Sequence, residues 1–331
     1  PDLHELGNKS NSRKVFRAAN IPLPPGFEDL FTEDDLVNAL YELKQHNPHL
    51  RKAVVKLNEG FSGDGNALFS YDHAPQVEMK EWLRNHLPLQ LQPVAQDMKF
   101  AQFMKLFEDG GGVAEEFIEG DEKVSPSVQC LINPLGKIEI VSTHDQRLGG
   151  SSGQIFLGAS FPAQQAYAPA IGEMGRQIAQ ELRLQGVLGR FAVDFISVKE
   201  EDMWRHYAIE INLRKGGTTH PYLMLQFLTN GEYQPAEGVY YAANGQPRYY
   251  VSTDNLKNDA YKGLTPHDLI DIAMCNDLLY DGALQEGVIF HLISALSQFG
   301  KLGMVCIGST PERADFFYNK TVDVLNKEGK Q

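Results

Sequence analysis

Glu210 and Asn212 alternate with apolar residues in the run Ala208-Ile209-Glu210-Ile211-Asn212-Leu213-Arg214, and Asp194 lies sixteen residues before Glu210 in the apolar stretch Phe191-Ala192-Val193-Asp194-Phe195-Ile196. Alternation in a strand puts Glu210 and Asn212 on one face and their apolar neighbours on the other. If the two runs pair as a hairpin around Lys199-Glu200-Glu201-Asp202, three oxygen ligands converge on one patch. Two carboxylates and a carboxamide oxygen suit Mg²⁺ rather than zinc, and leave positions open for water and phosphate. The competing reading is a pair of solvated acids on the outer face of a hairpin.

A second cluster lies upstream. Ala53-Val54-Val55-Lys56-Leu57 reads as a strand with a lysine near its end, and Ala67-Leu68-Phe69-Ser70-Tyr71 as its partner. Between them runs Glu59-Gly60-Phe61-Ser62-Gly63-Asp64-Gly65-Asn66, in which Gly63 and Gly65 leave backbone N–H groups open to phosphate oxygens. No Gly-Lys-Ser/Thr follows, so this is not a Walker loop. A strand rather than a helix comes next, so it is not the dinucleotide fingerprint. The alternative is a plain hairpin turn.

Four motifs stand in a fixed order across residues 4–221. They are Gly7-Asn8-Lys9 with its helix and the exit Ala19-Asn20-Ile21-Pro22-Leu23-Pro24-Pro25-Gly26; Lys56 with the glycine loop; Ala114-Glu115-Glu116-Phe117-Ile118-Glu119-Gly120-Asp121-Glu122; and Asp194 with Glu210 to Arg214. In this order and spacing the chain resembles the ATP-grasp superfamily, and within it the carboxylate–amine ligase branch that holds the peptide ligase of pheganomycin biosynthesis. The resemblance implies an α+β ATP-grasp fold, with two α+β lobes holding ATP between antiparallel sheets, and an extra small C-terminal α/β domain.

It also implies roles. Lys9 and Lys56 would contact the ATP phosphates, with Lys56 also near the adenine; a lysine supplies the mobile point charge for this. The Glu116 carbonyl and the Ile118 N–H would bond the adenine edge, Glu115 would lie by its amino group, and Glu122 would accept from the ribose. Asp194, Glu210 and Asn212 would hold Mg²⁺, two ions by analogy with two-metal sites, with Mn²⁺ as a substitute. Arg214 would clamp the transferring phosphate. Family members carry a further basic residue before the metal ligands, and here both Arg147 and Arg190 qualify. Thr218 and Thr219 are possible phosphate donors, and His220 reads as the N-cap of a helix starting at Pro221, with a catalytic role as the alternative.

Residues 149–153 spell G-x-S-x-G, the pattern of a hydrolase nucleophile elbow. An elbow needs a helix after Ser151, and Gln154-Ile155-Phe156-Leu157-Gly158 reads extended. A loop over residues 143–153 that closes on substrate is the better expectation.

The elements that would position these groups follow from periodicity and caps. Helices are expected over 9–20, from the capping start at Thr32 to about Gln45, over 76–87, 97–108, and over 164–185 with Ala170, Ile171, Met174, Ile178 and Leu182 as its core stripe. A hinge strand is expected over 113–118, hairpins over 52–71 and 124–143, and a C-terminal helix from Thr265 to about Tyr280. The division implied is 1–25 as linker and helix entering the core, 26–118 and 119–234 as the two lobes, and 235–331 as a C-terminal α+β domain. The chain starts at Pro1, close to the first motif, where family members carry a domain upstream; that domain is expected to be missing.

Composition excludes several classes. A net charge of −13 opposes a nucleic-acid partner. No apolar run approaches the ~20 residues that span a bilayer. Cys130, Cys275 and Cys306 make neither a disulfide framework nor a metal cluster, which fits a cytoplasmic enzyme. The function that follows is an ATP-dependent, ADP-forming ligase joining a small-molecule or peptide carboxylate to an amine through an acyl phosphate. The rivals are a phosphotransferase with a hydroxyl acceptor and a module that only binds ATP.

Overall fold

The computed structural model describes residues 3–60, 65–95, 97–149 and 155–329. Helix α1 (Lys9–Ala18) precedes the first lobe and is capped by the Asn8 side chain, which accepts from the Asn11 N–H at 2.8 Å. Strand β1 (Gly26–Leu30), helix α2 (Glu33–His46), strands β2 (Lys52–Leu57) and β3 (Asn66–Ser70), helix α3 (Met79–Gln90), strand β4 (Leu91–Pro93), helix α4 (Phe100–Gly110) and strand β5 (Gly112–Glu116) follow. The strands form one five-stranded sheet in the order β1-β5-β2-β3-β4, and every pairing is antiparallel. Leu36, Leu40, Phe69, Leu83, Phe103 and Phe107 fill the space between this sheet and its helices.

Thr32 caps α2 with the expected reciprocal bonds to Asp35. Helices α3 and α4 start about three residues later than their patterns suggest. Packing decides this: α3 buries Met79, Leu83 and Leu87 at helical spacing, and α4 buries Phe103, Met104 and Phe107.

The second lobe holds β6 (Glu122–Val124), β7 (Pro126–Ile132), β8 (Ile138–Gly149), β9 (Ile155–Phe161), helix α5 (Ala168–Leu184), β10 (Gly189–Glu200), β11 (Met203–Asn212) and helix α6 (Thr219–Thr229). Helix α5 presents Ile171, Gly175, Ile178 and Leu182 to the sheet. Ala170, expected in that stripe, is exposed, because the close approach to β7 runs through Gly175; a Cβ there would meet Val128 Cγ1 at 2.9 Å.

The remainder comprises β12 (Glu232–Gln234), β13 (Val239–Tyr241), β14 (Tyr249–Lys257), α7 (Pro266–Cys275), β15 (Gly287–His291), α8 (Leu296–Phe299), β16 (Lys301–Gly308) and α9 (Pro311–Glu328). Helix α7 stops at Cys275, short of Tyr280. The boundary expected at 234/235 does not divide the sheet. β14 pairs with β9 and continues through β16 to β15, so one nine-stranded sheet runs β11-β10-β7-β8-β9-β14-β16-β15, with β6 added on β10. Pairing covers an edge that β9 would otherwise expose. Tyr250, Val305 and Ile307 accordingly share a core with Phe161 and Ile178. Among the described residues no helix is long and apolar enough to cross a membrane.

Candidate functional site

A cleft of about 660 Å³ opens between the two sheets. Its wall includes Lys9, Lys56, Gly65, Glu115, Glu116, Ile118, Asp194, Glu210, Asn212 and Arg214. A second cleft of about 450 Å³ shares Lys9, Glu210, Asn212 and Arg214 with the first and adds Arg190.

The metal-type ligands come together as the alternation requires. β10 and β11 form an antiparallel hairpin in which Asp194 faces Glu210 directly and Ala192 faces Asn212. Asn212 therefore sits diagonally from Asp194 on the same face, and its Nδ2 donates to Asp194 Oδ2 at 3.0 Å. Arg214 Nη2 donates to Asn212 Oδ1 at 3.3 Å, and Lys9 forms an ion pair with Glu210. Enclosure from water, reinforced by the Glu210 charge, pushes the Asp194 carboxyl up to about 6, against the pull of Ser127, Lys9 and Arg214. The cluster thus sets two carboxylates, Asp194 and Glu210, against two cations, Lys9 and Arg214. Its donors are all oxygen, which fits a hard divalent cation. Among the described residues no group of three or more His, Cys, Asp or Glu side chains could hold a metal ion; a cation at Asp194 and Glu210 would need the Asn212 carboxamide oxygen as a third protein donor.

The glycine loop is built by contact of its two arms. A Cβ on Gly65 would lie 2.5 Å from the Gly60 Cα, so neither arm accepts a side chain. Gly63 lies outside the described residues, as do Gly150 to Gly153 of the G-x-S-x-G run. The element after that run is a strand, not the helix an elbow needs, and residues 143–149, expected as loop, are the end of β8.

At the hinge, the Glu116 N–H donates to Pro25 O at 2.8 Å and the Phe117 N–H to Lys52 O at 3.1 Å. Glu115 is 2% exposed and meets Lys56 Nζ at 2.5 Å and Arg13 Nη1 at 2.6 Å. Burial would raise its carboxyl, but Lys56 and Arg13 outweigh burial and hold it below the ordinary range. Glu122 does not line the cleft; it is exposed on β6 and pairs with Lys199 at 3.2 Å, whereas its neighbour Lys123 does line it.

The two candidate arginines separate cleanly. Arg147 points away from the cleft, bonding Ser160 Oγ at 2.9 Å and Asp315 of α9 at 2.6 Å. Arg190 lines the second cleft, and its Nη1 is buried without a hydrogen-bond partner among the described residues. His220 is not a cap: Thr218 holds that position, and His220 lies in the first turn of α6 with its ring 4.7 Å from that of His291.

Three residues escaped the sequence. Arg13 and Asn58 are buried polar groups at the junction of the lobes, and Asn58 Oδ1 accepts from both the N–H and the hydroxyl of Ser10. The available signal was the polarity of Ser10, Ser12 and Arg13 on a helix that proves to be buried on that side. Asp254, on β14, lines the main cleft and had no motif to mark it.

Comparison with known proteins shows the family and the fold. A profile described as IQCH-like, ATP-grasp matches residues 1–92 and 75–235, and one described as PGM1 C-terminal domain matches 268–321. L-propargylglycine–L-glutamate ligase of Streptantibioticus cattleyicolor is 29% identical over 316 residues, covering 93% of this chain and 61% of that protein. IQ motif-containing protein H of Danio rerio is 20% identical, covering 97% of this chain and 33% of that protein. The chain thus spans less than two thirds of the length of both relatives. Biotin carboxylase of Campylobacter jejuni, solved as a complex with an ATP compound, superposes with a TM-score of 0.61 at 14% identity, covering 98% of this chain and 71% of that one; this shows the fold. With the profile matched across both lobes, the chain belongs to the IQCH-like ATP-grasp family.

Proposed function

We propose that this chain is the catalytic core of an ATP-dependent carboxylate–amine ligase that forms ADP and works through an acyl phosphate. One observation carries the reading: Lys9, Glu210, Asn212 and Arg214 form a wall common to two clefts, one between the sheets and one holding Arg190. In-line phosphoryl transfer needs the attacking oxygen on the far side of the γ-phosphorus from the leaving ADP. Nucleotide in the main cleft and a carboxylate in the second would approach each other at the shared wall.

In the main cleft, Lys9 and Lys56 would take the phosphates, with Gly65 of the glycine loop alongside. The Glu116 carbonyl and the Ile118 N–H would hold the adenine, and Glu115 would stand by. Asp194, Glu210 and Asn212 would hold Mg²⁺, which lowers the charge barrier between anionic reactants when bound. A substrate carboxylate oxygen would attack the γ-phosphorus as the bond to the ADP oxygen breaks. Arg214 would neutralise charge on the moving phosphoryl group, and Arg190 would hold the carboxylate. An amine then attacks the acyl carbon, loses a proton, and phosphate leaves. The unpartnered nitrogen of Arg190 favours an anionic acceptor over the hydroxyl of a phosphotransferase, since a buried donor is best met by a charged acceptor.

The test is ADP release from Mg²⁺-ATP with a panel of amino acids and peptides that includes L-glutamate and L-propargylglycine, the pair in the name of one relative. A product mass equal to the two reactants less water supports the ligase. A phosphate ester of one reactant makes it a phosphotransferase, and ATP binding with no ADP from any acceptor makes it a binding module.

A further inference from the structure

Helix α1 is the hub between the lobes. Lys9 pairs with Glu210 of the hairpin, Ser10 holds Asn58 at the base of the glycine loop, Ser12 Oγ accepts from the Ile211 N–H at 3.2 Å, and Arg13 reaches the hinge strand. Arg13 is 2% exposed and makes three ties: Nη1 to Glu115 Oε1 at 2.6 Å, Nη1 to the Pro24 carbonyl at 3.0 Å, and Nε to Glu28 Oε2 at 3.0 Å. It does not line the main cleft, whereas both Glu115 and Lys56 do. Glu115 is therefore shared, with one oxygen facing an arginine fixed in the core and the other facing a lysine on the cleft wall.

We propose that Arg13 is a positioning residue that keeps Glu115 compensated so that Lys56 can leave it for a nucleotide phosphate. This rests on the nucleotide reading of the main cleft. A buried carboxylate must keep a partner, or its charge stands desolvated. With Arg13 present, Lys56 can swing on its four-carbon stem while Glu115 stays paired. Without Arg13, the whole charge of Glu115 falls on Lys56 and holds it back. The division of labour matches the side chains: the rigid, doubly anchored fork faces the core, and the flexible ammonium faces the ligand.

The experiment measures the Kd of Mg²⁺-ATP and of adenosine on the folded chain for wild type, Arg13→Met, and Arg13→Met with Glu115→Gln. Arg13→Met should weaken ATP about tenfold and leave adenosine within about twofold, because only the phosphate contact depends on Lys56. The double variant should bind ATP more tightly than Arg13→Met alone, since the uncharged carboxamide that replaces the Glu115 carboxylate no longer holds Lys56. A merely structural Arg13 would weaken adenosine and ATP together, and the second substitution would bring no recovery; either result overturns the proposal, as does unchanged ATP affinity in Arg13→Met. Should Arg13→Met fail to fold, Arg13→Lys keeps the charge but divides one ammonium between Glu28 and Glu115. Adding Glu28→Gln to it should then recover ATP affinity, and no recovery overturns the proposal. If wild type itself does not bind Mg²⁺-ATP, the nucleotide reading fails first, which separates the two failures.

Discussion

Two carboxylates on the same cleft wall, Glu115 and Asp194, are driven in opposite directions. Glu115 at the hinge has two cations within 2.6 Å and is held below its ordinary range despite its burial. Asp194 on the hairpin is shut off from water and faces another carboxylate across the strand pair, its hydrogen bonds come from the neutral Asn212 and Ser127, and it is pushed up to about 6. Desolvation opposes charge at both places, and the sign of the neighbours decides the outcome. The hinge end is complete in its own charges. The hairpin end sets Asp194 and Glu210 against Lys9 and Arg214, and there burial and the facing carboxylate outweigh the cations at Asp194.

That contrast can be broken in order of size. Glu210→Gln removes one charge from the hairpin end; ADP formation should fall by about 10²–10³-fold, while ATP affinity, set largely at the hinge, changes far less. Steady-state ADP release beside direct nucleotide titration checks this, and an equal loss in both would place Glu210 in binding only. Glu115→Gln leaves the buried Arg13 with Glu28 as its remaining carboxylate partner, and urea unfolding should show a loss of about 2 kcal/mol. Asp194→Asn should have the opposite sign: in protein kept metal-free with a chelator at pH 7, stability should rise on the order of 1 kcal/mol, because a desolvated charge facing Glu210 is gone. If both variants lose stability alike, the two ends do not differ in charge balance.

The smallest effect comes from a buried group away from the cleft. His144 shares a hydrogen bond with Tyr250 Oη at 2.7 Å and lies tilted against Phe161, and burial lowers its pKa from 6.5 to about 3. The folded chain keeps the ring neutral while the unfolded chain protonates it below 6.5. Its contribution is therefore present above 6.5 and declines as pH falls from there toward 3. At pH 5.5 the loss relative to pH 7 should be about 1 kcal/mol, and His144→Phe should flatten that slope. Glu115, with a lowered pKa, has the same sign but a window that opens only near its ordinary value of 4.5, so the two contributions separate on a pH titration of unfolding.

The metal-type hairpin was legible because alternation in a strand is a property of the chain itself. Once Asp194, Glu210 and Asn212 stand among apolar residues at even spacing, pairing of the two runs brings them to one face. The caps at Thr32 and Thr265 belong to the same class, since each is decided within a few residues. The choice between Arg147 and Arg190 was not of that class. Both lie on strands of the same sheet, and what each meets depends on α9 closing over one and the second cleft opening beside the other. Nor could local order show that β14 would dock on β9 and bring Asp254 into the cleft wall, because that pairing joins residues about ninety apart. The sequence by itself determined which groups could do chemistry and the strands and turns that carry them. Only the tertiary structure decided which charges face one another, because a helix polar on one side becomes a hub, and a glutamate becomes a shared counter-ion, when two sheets close on them and exclude water.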